Sequence, residues 1–157
     1  MTRVKVEIRT MRTGDESMLL YLAEETLHSL AADAGHPERY DAGDLLALFN
    51  EASGEAAVFV AEAQGEIAGY VAVERAPETL EVRCLCVNPA FEAQAVAHQL
   101  MDWVEGLAFA ERRARLRAQV PVADERSQHL YRGHEFVPQR ALDRPEMIVM
   151  EKRLQAD

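Results

Sequence analysis

The sequence predicts an α/β fold on a mixed, mostly antiparallel and partly parallel sheet of six to seven strands flanked by about four helices. Three observations predict it. Residues 57–87 read as three strands in series joined by turns. A long amphipathic helix follows the third of them. Residues 114–120 then alternate apolar and polar side chains, the period of a half-buried strand.

The elements follow in order. Val4, Val6 and Ile8 alternate with Arg3, Lys5, Glu7 and Arg9 as a first strand. Past Thr13-Gly14, Asp15 can cap a helix in which Leu19, Leu22, Ala23, Thr26, Leu27 and Leu30 recur at helical spacing. Gly35 and Pro37 end it. A second helix starts near Asp41, with Asp44 three residues on and Leu45, Leu48 and Phe49 as its apolar face. Asn50 to Gly54 is a loop. Val58–Ala63, a Gln64-Gly65 turn and Glu66–Glu74 form a hairpin, and Ala76-Pro77-Glu78 turns the chain into Thr79–Val87. Asn88-Pro89 breaks that strand. The next helix carries Val96, Leu100, Trp103, Val104 and Leu107 as its core stripe. Ala114–Val120 is a strand stopped by Pro121, and a short helix spans about Asp124 to Arg132. Gly133 punctuates, Phe136-Val137 begins a strand, and Met147–Leu154 is the last. The order is β-α-α-β-β-β-α-β-α-β-β.

At 157 residues the chain is expected to form one domain over residues 1–157. Its 48% hydrophobic content and 28% charged content exclude disorder, and 2 Cys exclude a disulfide scaffold. A net charge of −10 disfavours nucleic acid and anionic membrane surfaces, whose binding depends on phosphate neutralisation. Cationic small molecules or basic proteins suit it better. No stretch approaches the roughly 20 apolar residues of a membrane span. Met1 to Met11 is charged throughout, unlike a signal peptide. Cys84 and Cys86 stand too close in a strand for a mutual disulfide and read as reduced core fillers. A cytoplasmic location is the expectation.

Physical argument alone singles out one junction. The strand ending in Cys86-Val87-Asn88-Pro89 runs through a short loop into the long helix. A helix N-terminus presents unpaired N–H groups and about half a positive charge, a natural anion site. Every strand-to-helix junction has such an end, so the feature is weak by itself.

With the element order, the junction resembles the GNAT superfamily of acetyl-CoA-dependent N-acetyltransferases across nearly the whole chain. Ile8-Arg9 with Asp15 matches the family's opening IR…D, and Leu85-Val87-Pro89 its L-x-V-x-P. Glu92-Ala93-Gln94-Ala95-Val96-Ala97 stands where the family carries its pyrophosphate loop, Q/R-x-x-G-x-G/A, and Leu100-Met101 matches the apolar pair that follows. Asp124, Ser127, Leu130, Tyr131 and Phe136 fall on N-x-x-A-x-x-L-Y-x-x-x-G-F. The chain departs from the pattern at several places. Glu92 replaces Gln/Arg, Ala95 replaces Gly, Asp124 replaces Asn and Glu135 replaces the Gly of G-F, with Gly133 available two residues early. A carboxylate ~4–6 Å from a pyrophosphate costs about 3–4 kcal/mol at an effective dielectric near 20, less if it swings into solvent.

The resemblance implies acetyl transfer from acetyl-CoA, as co-substrate, to a primary amine of a small molecule or peptide. It implies that the fourth and fifth strands splay into a cleft, with the backbone of Leu85, Cys86 and Val87 holding the pantetheine like an added strand. Glu92 to Ala97, with Asp124, would complete the cofactor-binding set. Tyr131 would be the general acid for the departing thiolate, a role suited to a phenol of pKa about 10. The competing reading packs its ring under the helix. Glu81, eleven residues before Glu92, would be the general base, or else an exposed strand Glu paired with Arg83 or Arg75.

Arg113, Arg115 and Arg117 share one strand face, read as solvated or as contacts to the CoA 3′-phosphate. His129 and His134 do not share a helical face, His28, His36 and His98 lack a ligand-spaced partner, and no metal is expected. No nucleophile elbow supports a hydrolase. Between Thr13 and Glu55, acidic residues face a single basic one, Arg39; in the family this region borders the acceptor pocket, where a negative rim would attract a cationic amine. Homodimerisation is common in the family. The Glu92, Ala95 and Glu135 departures keep a second reading open: a GNAT-fold protein with weakened catalysis that acts as a CoA-binding or protein-interaction module.

Overall fold

The structure, a computed structural model, describes residues 5–23, 55–91, 93–139 and 147–154, the side chains of residues 93 and 94 aside. Its strands are β1 (Glu7–Thr10), β2 (Ala56–Ala63), β3 (Glu66–Arg75), β4 (Thr79–Val87), β5 (Arg115–Pro121), β6 (Val137–Gln139) and β7 (Met147–Arg153). The described helices are α1 (16–23), α2 (Ala93–Ala110) and α3 (Glu125–Gly133). The sheet runs β1-β2-β3-β4-β5-β7-β6, and only the β4–β5 pair is parallel. The expected mixed, mostly antiparallel sheet is therefore present. The helix from Asp41 and the loop at Asn50–Gly54 lie outside the described residues. Among the described residues no helix is long and apolar enough to cross a membrane.

Local chemistry accounts for the central meander. Gln64 and Gly65 have φ of 55° and 78°, the pair of left-handed residues that a two-residue hairpin turn requires. β3 is buried continuously from Ala68 to Val73 because helices cover both faces of the sheet. On one face Leu19, Leu22 and Ala23 of α1 pack on Val58, Val60, Tyr70, Ala72 and Cys86. On the other, Val96, Leu100, Met101, Val104 and Ala108 of α2 pack on Val71, Val73, Leu80 and Leu116. Trp103 does not belong to that stripe. It lies on the flank of α2, 40% exposed, with its ring tilted against Phe59 at 5.6 Å. Met101 and Ala108 take the core positions instead.

Two ion clusters tie the elements together. The Arg9 guanidinium contacts Asp15 at 2.8 Å and Glu62 at 3.1 Å, joining β1, the start of α1 and β2. Asp15 also accepts from the Arg12 N–H, and the Arg9 hydrogen bond and this one hold its carboxyl below the usual range. At the other end, Glu111 pairs with Arg75 and Arg113, and Arg113 donates to the carbonyl of Ala76 at 2.6 Å.

Gly69 lets α2 approach the sheet. A Cβ there would sit 2.7 Å from the Cys86 carbonyl oxygen and 3.2 Å from Val96 Cγ1. At the end of α3, the expected turn at Gly133 is displaced. Gly133 is the last helical residue and has no positive φ; Glu135 makes the turn at φ 71°. The turn sends Phe136 into the core, its N–H bonded to the Tyr131 carbonyl at 3.0 Å. A left-handed conformation costs a residue with a Cβ about 1–2 kcal/mol. The exposed Glu135 side chain reaches only a 3.8 Å ion pair with Lys152, worth little. Glu135→Gly should therefore stabilise the protein by about 1 kcal/mol, raising the melting temperature by roughly 2–4 °C in calorimetry. An unchanged or lower melting temperature would show that the turn holds no strain.

Candidate active site at the β4–β5 opening

β4 pairs with β5 from Thr79↔Arg115 to Val82↔Ala118 and no further. Beyond Val82 its pairing continues on one side only, with β3, through Cys84↔Ala72 to Val87↔Gly69. The expected splay is thus present. Its closed end is tied by the Glu78 carbonyl, which accepts from Ala114 N–H at 2.8 Å and Arg115 N–H at 3.2 Å.

Where the strands part, β4 carries one extra residue. Ala72 faces Cys84 while Val73 faces Val82, leaving Arg83 as a bulge. The bulge resets the alternation of faces. Leu80, Val82, Leu85 and Val87 pack on the α2 side, whereas Cys84 and Cys86 pack on the α1 side. Main-chain directions follow from the ladder. The Asn88 N–H donates to the Ala68 carbonyl at 2.8 Å, so Cys86 forms the next hydrogen-bonded pair with Tyr70. The N–H and C=O groups of Leu85 and Val87 consequently point away from β3, into the opening.

Asn88 closes the exit turn. Its side chain donates to the Ile67 carbonyl and accepts from the Ala90 N–H. α2 begins at Ala93, and the N–H groups of its first turn have no acceptor within the helix. Glu92 lies outside the described residues, as do the side chains of Ala93 and Gln94. Val96 is fully buried in the core, Ala95 is buried and Ala97 is half-buried. Ala95 has no positive φ, so the glycine it replaces is not needed for backbone conformation here.

Tyr131 is buried and tilts against Phe136, ring centroids 5.0 Å apart, within the α2-side core. Burial raises its pKa, and Cys84, Asp124 and Cys86 add to the rise. Those two cysteines belong to the core cluster on the opposite face of β4. The ring packs against Phe136, and burial favours the protonated hydroxyl.

Tyr70 is the residue the sequence reading missed. Fully buried, it places its hydroxyl 3.6 Å from Cys84 Sγ, which lies 3.4 Å from Cys86 Sγ. Burial pushes the Tyr70 hydroxyl up; the contact to Cys86, then burial, push up the Cys84 thiol. An aromatic on a central strand carries no local signal for this placement.

Glu81 is half-buried and has no side-chain partner among the described residues. The pairings expected for it go elsewhere: Arg83 binds Glu74 at 2.8 Å and Arg75 binds Glu111. Asp124 caps α3 by accepting from the Ser127 N–H at 3.0 Å. Arg113, Arg115 and Arg117 pair with Glu111, Glu78 and Glu151 of their own chain, rather than forming a purely solvated face.

Known proteins resemble this arrangement. The profile of the acetyltransferase (GNAT) family matches residues 20–136. No curated protein matches the sequence. PaiA N-acetyltransferase from Thermoplasma acidophilum, solved in complex with coenzyme A, superposes with a TM-score of 0.78 at 17% identity, over 95% of this chain and 99% of that one. Ard1 from Thermoplasma volcanium gives 0.76 at 17% identity, over 98% and 100%. A GNAT-family acetyltransferase from Staphylococcus aureus Mu50 gives 0.77 at 13% identity, over 96% and 100%. Likeness at such identities speaks to the fold, and the family match adds the lineage: the chain belongs to the GNAT acetyltransferase family.

Proposed function

We propose that the protein transfers an acetyl group from acetyl-CoA to a primary amine of a small molecule or peptide. One observation carries the reading: β4 leaves β5 after Val82, so that Leu85 and Val87 turn two sets of backbone groups into an opening. A pantetheine arm, with its amides, fits such an edge as an added strand does. The coenzyme A complex of the Thermoplasma acidophilum relative is consistent with that fit. The first turn of α2 supplies N–H groups for the pyrophosphate, with Glu92, Ala93, Gln94, Ala95, Val96 and Ala97 as the loop.

In this reading the amine attacks the thioester carbonyl directly. The C–N bond forms, the C–S bond breaks, and Tyr131 gives its proton to the departing thiolate. Glu81, or a water beside it, takes the proton from the ammonium. Its lack of an ionic partner among the described residues supports that role. Cys84 is held protonated by its surroundings, which argues against a route through an acyl-Cys84 intermediate. The acceptor is a cationic amine, drawn by the net charge of −10 and by the acidic stretch between Thr13 and Glu55. Asp124 serves this site through α3, by capping the helix that carries Tyr131.

The loop favours a second reading, a CoA-binding or interaction module with weakened catalysis, because Glu92 sets a negative charge beside the phosphates. Two measurements separate the readings. Tyr131→Phe keeps the packed ring and removes the proton donor; kcat should fall by roughly 10²–10⁴-fold with acetyl-CoA binding nearly unchanged. Wild-type turnover, with chemistry rate-limiting, would make Tyr131 structural. In calorimetric titration, Glu92→Arg with Ala95→Gly should tighten CoA binding, with a gain that shrinks as salt is added. No detectable binding in either protein would close the cleft to CoA and give the lead to the interaction module.

A further inference from the structure

Away from the opening, α2, the end of α3 and β7 bring together His98, Asp102, Glu105, His134 and Lys152. Asp102 and Glu105 are neighbours on one face of α2, three residues apart. His134 follows the last residue of α3, its side chain 10% exposed. The imidazoles of His98 and His134 meet through Nδ1 and Nε2 at 2.7 Å. That contact leaves Nδ1 as the His134 nitrogen that faces the carboxylates. Nδ1 faces Glu105 Oε1 at 3.4 Å and Asp102 Oδ1 at 3.9 Å.

Both distances are long for a charge-assisted hydrogen bond, which closes to about 2.7–2.9 Å. The first falls within the edge of a tetrahedron drawn about a cation with ligand bonds of about 2.0–2.2 Å, roughly 3.3–3.6 Å, and the second, on the exposed Asp102, is slightly longer. All three ligand atoms lie within 4.8 Å of one another. We propose that His134 Nδ1, Glu105 and Asp102 form a binding site for a divalent transition-metal ion of the zinc class, with solvent as the fourth ligand.

The surroundings fit that assignment. His134 Nε2–H would donate to His98 Nδ1, the outer contact that orients a metal-bound imidazole. Lys152 holds the second oxygen of Glu105 at 2.6 Å and so aims the first. Asp102, Glu105 and the exposed Glu135 carry three negative charges against the one positive charge of Lys152. A divalent ion balances the remainder. Imidazole with carboxylates suits zinc, nickel or copper better than calcium or magnesium. The site would brace the end of α3, three residues from Tyr131, against α2.

The test is calorimetric titration of the whole purified chain with Zn²⁺. One equivalent should bind, and Asp102→Asn and His134→Gln should each weaken binding at least tenfold. His98→Gln, which removes only the outer contact, should cost 10–100-fold. Asp102 is 71% exposed, so its variant folds and carries the test alone if the His134 variant does not. Co²⁺ should give visible d–d bands without the near-ultraviolet absorption of a cobalt–thiolate bond, which separates this site from Cys84 and Cys86. No saturable binding, wild-type binding by Asp102→Asn, or a thiolate band would overturn the proposal.

Discussion

β4 is bonded to β3 along most of its length but to β5 over only four residues, and the rest of the site depends on that asymmetry. The closed end is held by groups of different kinds. Glu78 accepts from two consecutive backbone N–H groups, and Glu111 gathers Arg75 and Arg113 over the turn that begins β4. Nothing comparable joins the strands past Val82 among the described residues. Unpaired backbone in a protein interior is costly, so an edge left open beside a core is a place where a ligand's polar groups can complete the ladder.

The bulge at Arg83 and the turn at Glu135 serve the same geometry. Without the extra residue, Leu85 and Val87 would exchange faces with Cys84 and Cys86, and the α2-side core would lose its continuity past Val82. Glu135 takes a left-handed conformation so that Phe136 can enter the core beside Tyr131. Strain at such a position persists only where packing over-determines it. Here the packed pair is the base of the candidate acid.

Elements punctuated locally were legible in the sequence. The meander from β2 to β4 was, because Gln64-Gly65, Ala76-Pro77-Glu78 and Asn88-Pro89 mark its ends and residue alternation marks its faces. α2 was legible as a helix, but Trp103 was placed in its core stripe on hydrophobicity alone; the stripe runs through Val96, Leu100, Val104 and Ala108, and Trp103 lies beside it. The splay carried no periodic signal and was expected only from the family resemblance. Tyr70 beside Cys84, and His98 against His134, depend on residues 14 and 36 positions apart. No local spacing reports such contacts. The same holds for the ion partners of Arg83 and Arg75. Gly133 drew the turn because glycine tolerates positive φ, yet helix length placed that turn two residues later.

The account rests on the open edge of β4 being where acyl-CoA binds, and amide hydrogen exchange at three adjacent residues tests it most directly. The amides of Leu85 and Val87 point into the opening, whereas that of Cys86 bonds to β3. Without ligand, Leu85 and Val87 should exchange quickly and Cys86 slowly. Saturating CoA should slow exchange at Leu85, Val87 or both and leave Cys86 nearly unchanged. If CoA binds and neither outward amide gains protection, the ligand does not complete the strand and the account is contradicted.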